Sequence, residues 1–253
     1  MQSSAVPSAA NLTAAAAIQS ASSATTTLLD PAWVEHLTHQ SFTERMRSPY
    51  PAFGRPGMPI APDREPDLQK LVGLFTTLHA YDQHTSRHSL QVERCAQHLS
   101  RVLGLPEHES MIIRMAAIVH DIGKIAVPTA ILSKPGRLTV EEFIVIKRHP
   151  ADGARILEQA GFHGPVVTLV LHHHEWYDGT GYQSGLMGEA IPFGARVLQT
   201  ADCIDAMMSP RSYKTGFSAD QVIAELQRGR SRQFDPHIAD AAIAWLRDYK
   251  RFA

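Results

Sequence analysis

From residue 65 onward the apolar residues recur at helical spacing, and no stretch alternates as a half-buried strand would. Leu68, Leu71, Val72, Phe75 and Leu78 share one face of a first helix. Val92, Cys95, Ala96, Leu99 and Val102 line a second that ends at Gly104, and Pro106 opens a third carrying Met111, Ile112, Met115, Ile118 and Val119. Thr139-Val140-Glu141-Glu142 is a capping box, which predicts a helix with Phe143 and Ile146 inward that closes near His149-Pro150. Short helices are expected over residues 151–160, closed by Gly161, and over 165–174. Residues 176–192 hold five Gly or Pro and read as a loop. Phe193 to Met208 is periodic again, Ser218 with Gln221 caps a further helix, and Asp235-Pro236 opens the last. The expected fold is all-α.

Ahead of that domain the composition changes. Residues 1–27 are mostly Ala, Ser and Thr, with little to bury, and read as a disordered tail. Asp30-Pro31 signals a modest helix to about Met46, and residues 47–64 carry five prolines, as a linker would. The expected organisation is a tail over 1–27, an N-terminal helix and Pro-rich linker over 28–65, and one helical domain over 66–253. The 24 Lys+Arg against 25 Asp+Glu leave no basic field for polymeric nucleic acid. Cys95 and Cys203 form no CxxC and read as reduced thiols of a cytoplasmic protein. No apolar run is long enough to span a bilayer, and the opening residues lack the basic start of a signal peptide.

The chain has 14 His, and their placement carries the chemistry. His120-Asp121-Ile122-Gly123-Lys124 follows the apolar run Met111 to Val119, so an imidazole and a carboxylate arrive together at a buried helix end. Such a pair is costly without a partner, and a divalent cation is a good one. The plain alternative is a helix terminus with a capping Gly, its backbone at positive φ, and a dipole-complementing Lys. His84 and His88 are four apart and share a helix face. His149 is expected to end the capping-box helix; His172, His173 and His174 end another apolar segment, followed by Glu175. Asp202 lies inside an apolar stretch, with Asp205 three residues on. Each residue alone has a structural explanation. One centre using all of them is the simpler account. A His/carboxylate set without thiolate favours Fe, Mn or another borderline-to-hard metal, and so many ligands suit two ions, with a third left open.

His120 to Lys124, followed by His173-His174-Glu175-Trp176-Tyr177-Asp178-Gly179-Thr180-Gly181-Tyr182, resembles the HD-GYP domain, a bacterial subgroup of the HD phosphohydrolases. The resemblance continues through Lys134-Pro135-Gly136, Ile146 to Pro150, Ala195-Arg196, Ala201-Asp202, Asp205-Ala206 and Phe234-Asp235-Pro236. It implies a helical bundle of the HD superfamily with two or three divalent metal ions. The implied activity is hydrolysis of cyclic di-GMP to linear pGpG or GMP. The implied ligands are His88, His120, Asp121, His149, His173, His174 and Asp202, with Asp121 bridging. His84 stands where trinuclear members have Glu, so a third ion is less expected. Lys124 would contact the scissile phosphate, and Tyr182, Asp205, Arg211 and Lys214 the dinucleotide. His172 is extra and reads as structural. Protein partners at the Gly179–Gln183 loop and a homodimer are further expectations.

Three positions depart from the family pattern. Gln183 replaces the Pro of the GYP motif, Ser212 a usual Pro, and Gln91 a usual Arg. None is an implied ligand. They leave room for two rival readings: a catalytically weak module that binds cyclic di-GMP or a partner, and a hydrolase or oxygenase of the same centre acting on another substrate.

Overall fold

The computed structural model describes residues 68–182, 184–209 and 216–252. The expected tail, N-terminal helix and Pro-rich linker, and also Gln183, Arg211, Ser212 and Lys214, lie outside them. Among the described residues the chain is helical, and an isolated bridge between Arg230 and Phe234 is the one β feature. In order come α1 (Leu68–Tyr81), α2 (Gln83–Val102), α3 (Glu107–Val119), a 3-10 turn (Ile122–Ala126), α4 (Thr129–Leu132) and α5 (Val140–Lys147). Then follow α6 (His149–Gln159), α7 (Pro165–His172), a second 3-10 turn (Gly188–Ala190), α8 (Phe193–Met208), α9 (Ala219–Gly229) and α10 (Pro236–Phe252). No described helix is long and apolar enough to cross a membrane.

Helix α3 is the centre of the bundle. Every residue from Glu109 to Val119 is buried, as suits a segment apolar on nearly all sides. α1, α2, α7 and α8 pack around it. They contribute Leu71, Phe75 and Leu78, Val92 and Leu99, Leu169 and Val170, and Val197, Leu198 and Ala201. Arg114, near the middle of α3, is buried and meets the buried Glu93 of α2. An unpaired charge there would be strongly destabilising. Because α3 is enclosed, whatever follows Val119 starts inside the protein.

Side-chain caps fix several helix starts. Asp82 accepts the backbone N–H groups of His84 and Thr85 at the start of α2. Thr139 with Glu142 and Ser218 with Gln221 form capping boxes. Asp235 accepts the N–H groups of His237 and Ile238 at the start of α10 while its other oxygen takes the Arg196 guanidinium, which ties α10 to α8.

Four expectations need correction. α5 buries none of its residues, and Phe143, expected inward, is 43% exposed. Its two turns lie on the surface against the start of α6, so their apolar content marks no core face. Val102, expected on the buried face of α2, is likewise exposed. His149 opens α6 rather than closing α5, and Pro150 sits in the first turn of α6, where no N–H is required. The 3-10 turn and α4, both short, carry too little periodicity to be read from sequence.

The fourth correction concerns Gly123. It is absent from the glycines at positive φ, so a left-handed turn is not its role. A Cβ there would overlap the carbonyl oxygen of His149 and lie 2.5 Å from the Gly153 nitrogen. The residue is glycine because the 3-10 turn packs backbone to backbone on α6. That contact brings Asp121 beside His149. Gly123→Ala is predicted to lower unfolding stability by about 1–3 kcal/mol or more in urea melts, as expected for overpacking against fixed backbone; an unchanged midpoint would contradict the role.

Candidate metal centre

Five elements converge on one buried place. α2 brings His88, the end of α3 His120 and Asp121, the first residue of α6 His149, the end of α7 His173 and His174, and α8 Asp202. Their donor atoms form three overlapping groups: His149, His173 and His174; His88, His120 and Asp202; and His120, Asp121 and His173. Within each group one donor atom per residue lies within 4.8 Å of the others. His120 and His173 each belong to two groups, so the three form one continuous centre. His84 is exposed and belongs to none of them.

The orientation of the rings follows from where helices end. The last carbonyls of a helix have no intrahelical partner. His120 Nδ1 lies 2.8 Å from the Ala117 carbonyl, His149 Nδ1 2.8 Å from that of Ile146, and His173 Nδ1 2.7 Å from that of Val170. Each carbonyl is three residues back, in the final turn of α3, α5 or α7. A carbonyl only accepts, so Nδ1 carries the proton and donates it. In the neutral form of such a ring the lone pair is thereby fixed on Nε2, facing the centre.

Inward lone pairs repel unless a cation sits among them. His149 Nε2 is 3.3 Å from His173 Nε2 and 3.2 Å from Asp121 Oδ1, and His120 Nε2 is 3.4 Å from Asp121 Oδ2. Protons are a poor answer here. Burial, first of all, pushes His120 and His173 away from protonation, and holds His174 down to about 3. Asp121 and Asp202 stay ionised: burial would raise them, but Lys124 and His120 outweigh it at Asp121, and His88 outweighs it at Asp202. Neutral imidazoles around buried carboxylates fit divalent metal. Cys95 and Cys203 take part in none of the three groups, which keeps the set to nitrogen and oxygen.

His88 differs from the other rings. Its Nε2 lies 2.8 Å from Asp202 Oδ1 and its Nδ1 2.6 Å from Asp205 Oδ2. Burial would push this imidazole down, but the hydrogen bonds to the two carboxylates outweigh it and carry it up to about 10. Without metal the ring is thus an imidazolium, and it must release a proton to become a ligand.

The expected substrate contacts are placed unequally. Lys124 Nζ lies 2.6 Å from Asp121 Oδ2 at the rim of the centre. The Tyr182 ring is 4.6 Å from that of His174, and Lys147 Nζ stands 4.9 Å from the Tyr182 centroid. Asp205 has both oxygens on protein groups, His88 Nδ1 and the Ser209 hydroxyl at 3.0 Å. Several contributors escaped the sequence reading. Buried Glu175 accepts the Ser184 N–H at 2.7 Å and so anchors the loop after His174. A Cβ on Gly181 would run into the backbone of His174, Glu175 and Trp176, so this glycine lets the loop lie directly on the centre. Glu175 was signalled by its place after two ligand-type histidines and Lys147 by its place in the Ile146 to Pro150 motif, without a role for either; Ser209 had no signal of its own.

The HD-domain family model matches residues 74–238, from within α1 to the start of α10. The chain belongs to the HD-domain family. The HD-GYP motifs in the sequence place it with that branch of the HD proteins. It is 42% identical over 181 residues to the cyclic di-GMP phosphodiesterase response regulator RpfG of Xanthomonas campestris, a match covering 71% of this chain and 48% of the relative. It is 32% identical over 182 residues to the 3'3'-cGAMP-specific phosphodiesterase 2 of Vibrio cholerae, covering 71% of this chain and 35% of the relative. The chain therefore spans less than half the length of either. Its fold is similar to that of Bd1817, an HDG"Y"P protein of Bdellovibrio bacteriovorus, with TM-score 0.54 and 18% identity over 72% of this chain and 58% of that one. HD-domain phosphohydrolases depend on metal, and the donor groups here accord with that.

Two shifts give a pH prediction for the metal-free protein. His88 is raised to about 10 from 6.5, so its stabilisation is full below 6.5 and is lost as pH rises towards 10. His174 is depressed to about 3 from 6.5, so stability is lost as pH falls from 6.5 towards 3. Urea melts after chelation should therefore show greatest stability near pH 6.5, falling on both sides. A curve still rising through pH 9 would contradict the His88 pairing.

Proposed function

We propose that the chain is a metal-dependent phosphodiesterase that hydrolyses cyclic di-GMP to linear pGpG, with GMP as the product of a second hydrolysis. The observation that carries this is the merging of three donor groups into one centre with a lysine ammonium at its rim. The names of several relatives as cyclic di-GMP phosphodiesterases point the same way. Residues 66–253 would form the catalytic domain.

The ligands would be His88, His120, Asp121, His149, His173, His174 and Asp202, with Asp121 shared between two ions. Two ions fit better than three, because His84 is exposed. Fe or Mn suits a nitrogen–oxygen set best. When bound, such ions supply positive charge to the phosphodiester and lower the pKa of water. The chain supplies the rest. The carbonyl-anchored rings keep their geometry without reorganisation. Lys124, held by Asp121, would offset the charge gathering on the phosphate. Tyr182, packed on His174, offers a ring at the mouth for the dinucleotide. Water oxygen would add to phosphorus, the bond from phosphorus to the 3'-oxygen would break, and the proton would pass to that oxygen.

A second reading, hydrolysis of 3'3'-cGAMP, is favoured by the similarity to the Vibrio enzyme of that name. Incubation of the Mn- or Fe-loaded protein with each dinucleotide, followed by chromatography, separates the two. The first reading predicts higher kcat/KM on cyclic di-GMP; preference for 3'3'-cGAMP supports the second, and turnover of neither overturns both. Asp121→Ala is expected to lower turnover by more than about 100-fold. An Asp121→Ala protein with wild-type turnover would remove Asp121 from the chemistry.

A further inference from the structure

We propose that Asp205 is a positioning residue that holds the His88 ring for metal, rather than a contact to the dinucleotide. The proposal rests on the metal-centre reading above. It starts from a difference among the histidines. His120, His149 and His173 each follow the last turn of a helix and direct Nδ1 to a carbonyl of that turn, where the helical ladder runs out. His88 lies within α2, where the carbonyls are engaged in the helical ladder. The carbonyl three residues back, on Thr85, also accepts the Ser89 hydroxyl at 3.2 Å. The ring therefore needs an acceptor from another helix, and α8 provides it.

Asp202 and Asp205 are three apart on α8 and share a face. They meet the same ring from its two nitrogens, Asp202 at Nε2 and Asp205 at Nδ1. Asp205 is itself fixed, because its second oxygen accepts the Ser209 hydroxyl at 3.0 Å. Its side chain is 11% exposed. Both carboxylate oxygens thus have protein partners. A carboxylate behind Nδ1 fixes the tautomer and raises ring basicity more than a neutral carbonyl does. The subsite of His88, His120 and Asp202 should owe part of its metal affinity to this partner.

The test uses the full chain, stripped of metal, with Mn affinity measured by chelator competition for the wild type, Asp205→Ala, Asp205→Asn and Ser209→Ala. Asp205→Ala should weaken Mn binding at one site by about 10–100-fold, leaving the other site unchanged. Asp205→Asn keeps an acceptor and should recover part of the loss, and Ser209→Ala should weaken binding by a few fold. KM for cyclic di-GMP should stay at the wild-type value, and excess Mn should restore kcat in Asp205→Ala. Should Asp205→Ala fail to fold, the other two variants decide by the same affinity comparison. Wild-type Mn affinity in the variants with a raised KM would overturn the proposal in favour of a substrate contact, and a wild type that takes up no Mn overturns it outright. A wild type that binds Mn but leaves cyclic di-GMP intact sinks the phosphodiesterase reading alone, since the affinities still decide the role of Asp205.

Discussion

Hydrogen bonds from Nδ1 of His120, His149 and His173 to carbonyls of the preceding helix turn are the interaction on which the centre depends. They satisfy acceptors that helix ends leave open, and they fix which nitrogen of each ring faces inward. One residue type thus completes the helix and aims a donor atom inward. The same arrangement recurs at α3, α5 and α7, and the fold brings those three helix ends together. α3 makes this work because it is enclosed, so the residues that follow it begin inside the bundle. The cost is a cluster of lone pairs and carboxylates in a dry place, which a cation offsets.

Close backbone contact sets the scale of the site. Gly123 lets the turn carrying Asp121 lie on the first turn of α6, and Gly181 lets the loop after α7 lie on its own start. Glu175 pins that loop from beneath through Ser184, and the N–H groups of Tyr177 and Asp178 bond to carbonyls of Gln233 and Arg232. The loop that carries Tyr182 is therefore joined to the segment between α9 and α10. Arg196 and Asp235 tie the same segment to α8, which carries Asp202. Several motif residues that are not ligands have structural work of this kind.

Much of this was legible in the sequence. The long helices were readable because α2, α3 and α8 carry sustained periodicity, and the donor set was readable because His and Asp stood next to apolar runs. What escaped was set by contacts between distant segments. Gly123 looked like a turn residue, because its contact with α6 is thirty positions away in the chain. α5 looked like a core helix because apolar content does not reveal that a two-turn helix lies on the surface. The pairing of Asp205 with His88 was not legible, because nothing local links two residues over a hundred positions apart in the chain.

The account stands or falls on the tautomers of three rings. Long-range nitrogen–proton NMR of the metal-free, nitrogen-labelled protein reads them directly. The account predicts that His120, His149 and His173 carry their proton on Nδ1, and that added Zn shifts the Nε2 resonances of the same rings. Protons found on Nε2 of these rings, or Nε2 resonances indifferent to Zn, would contradict it.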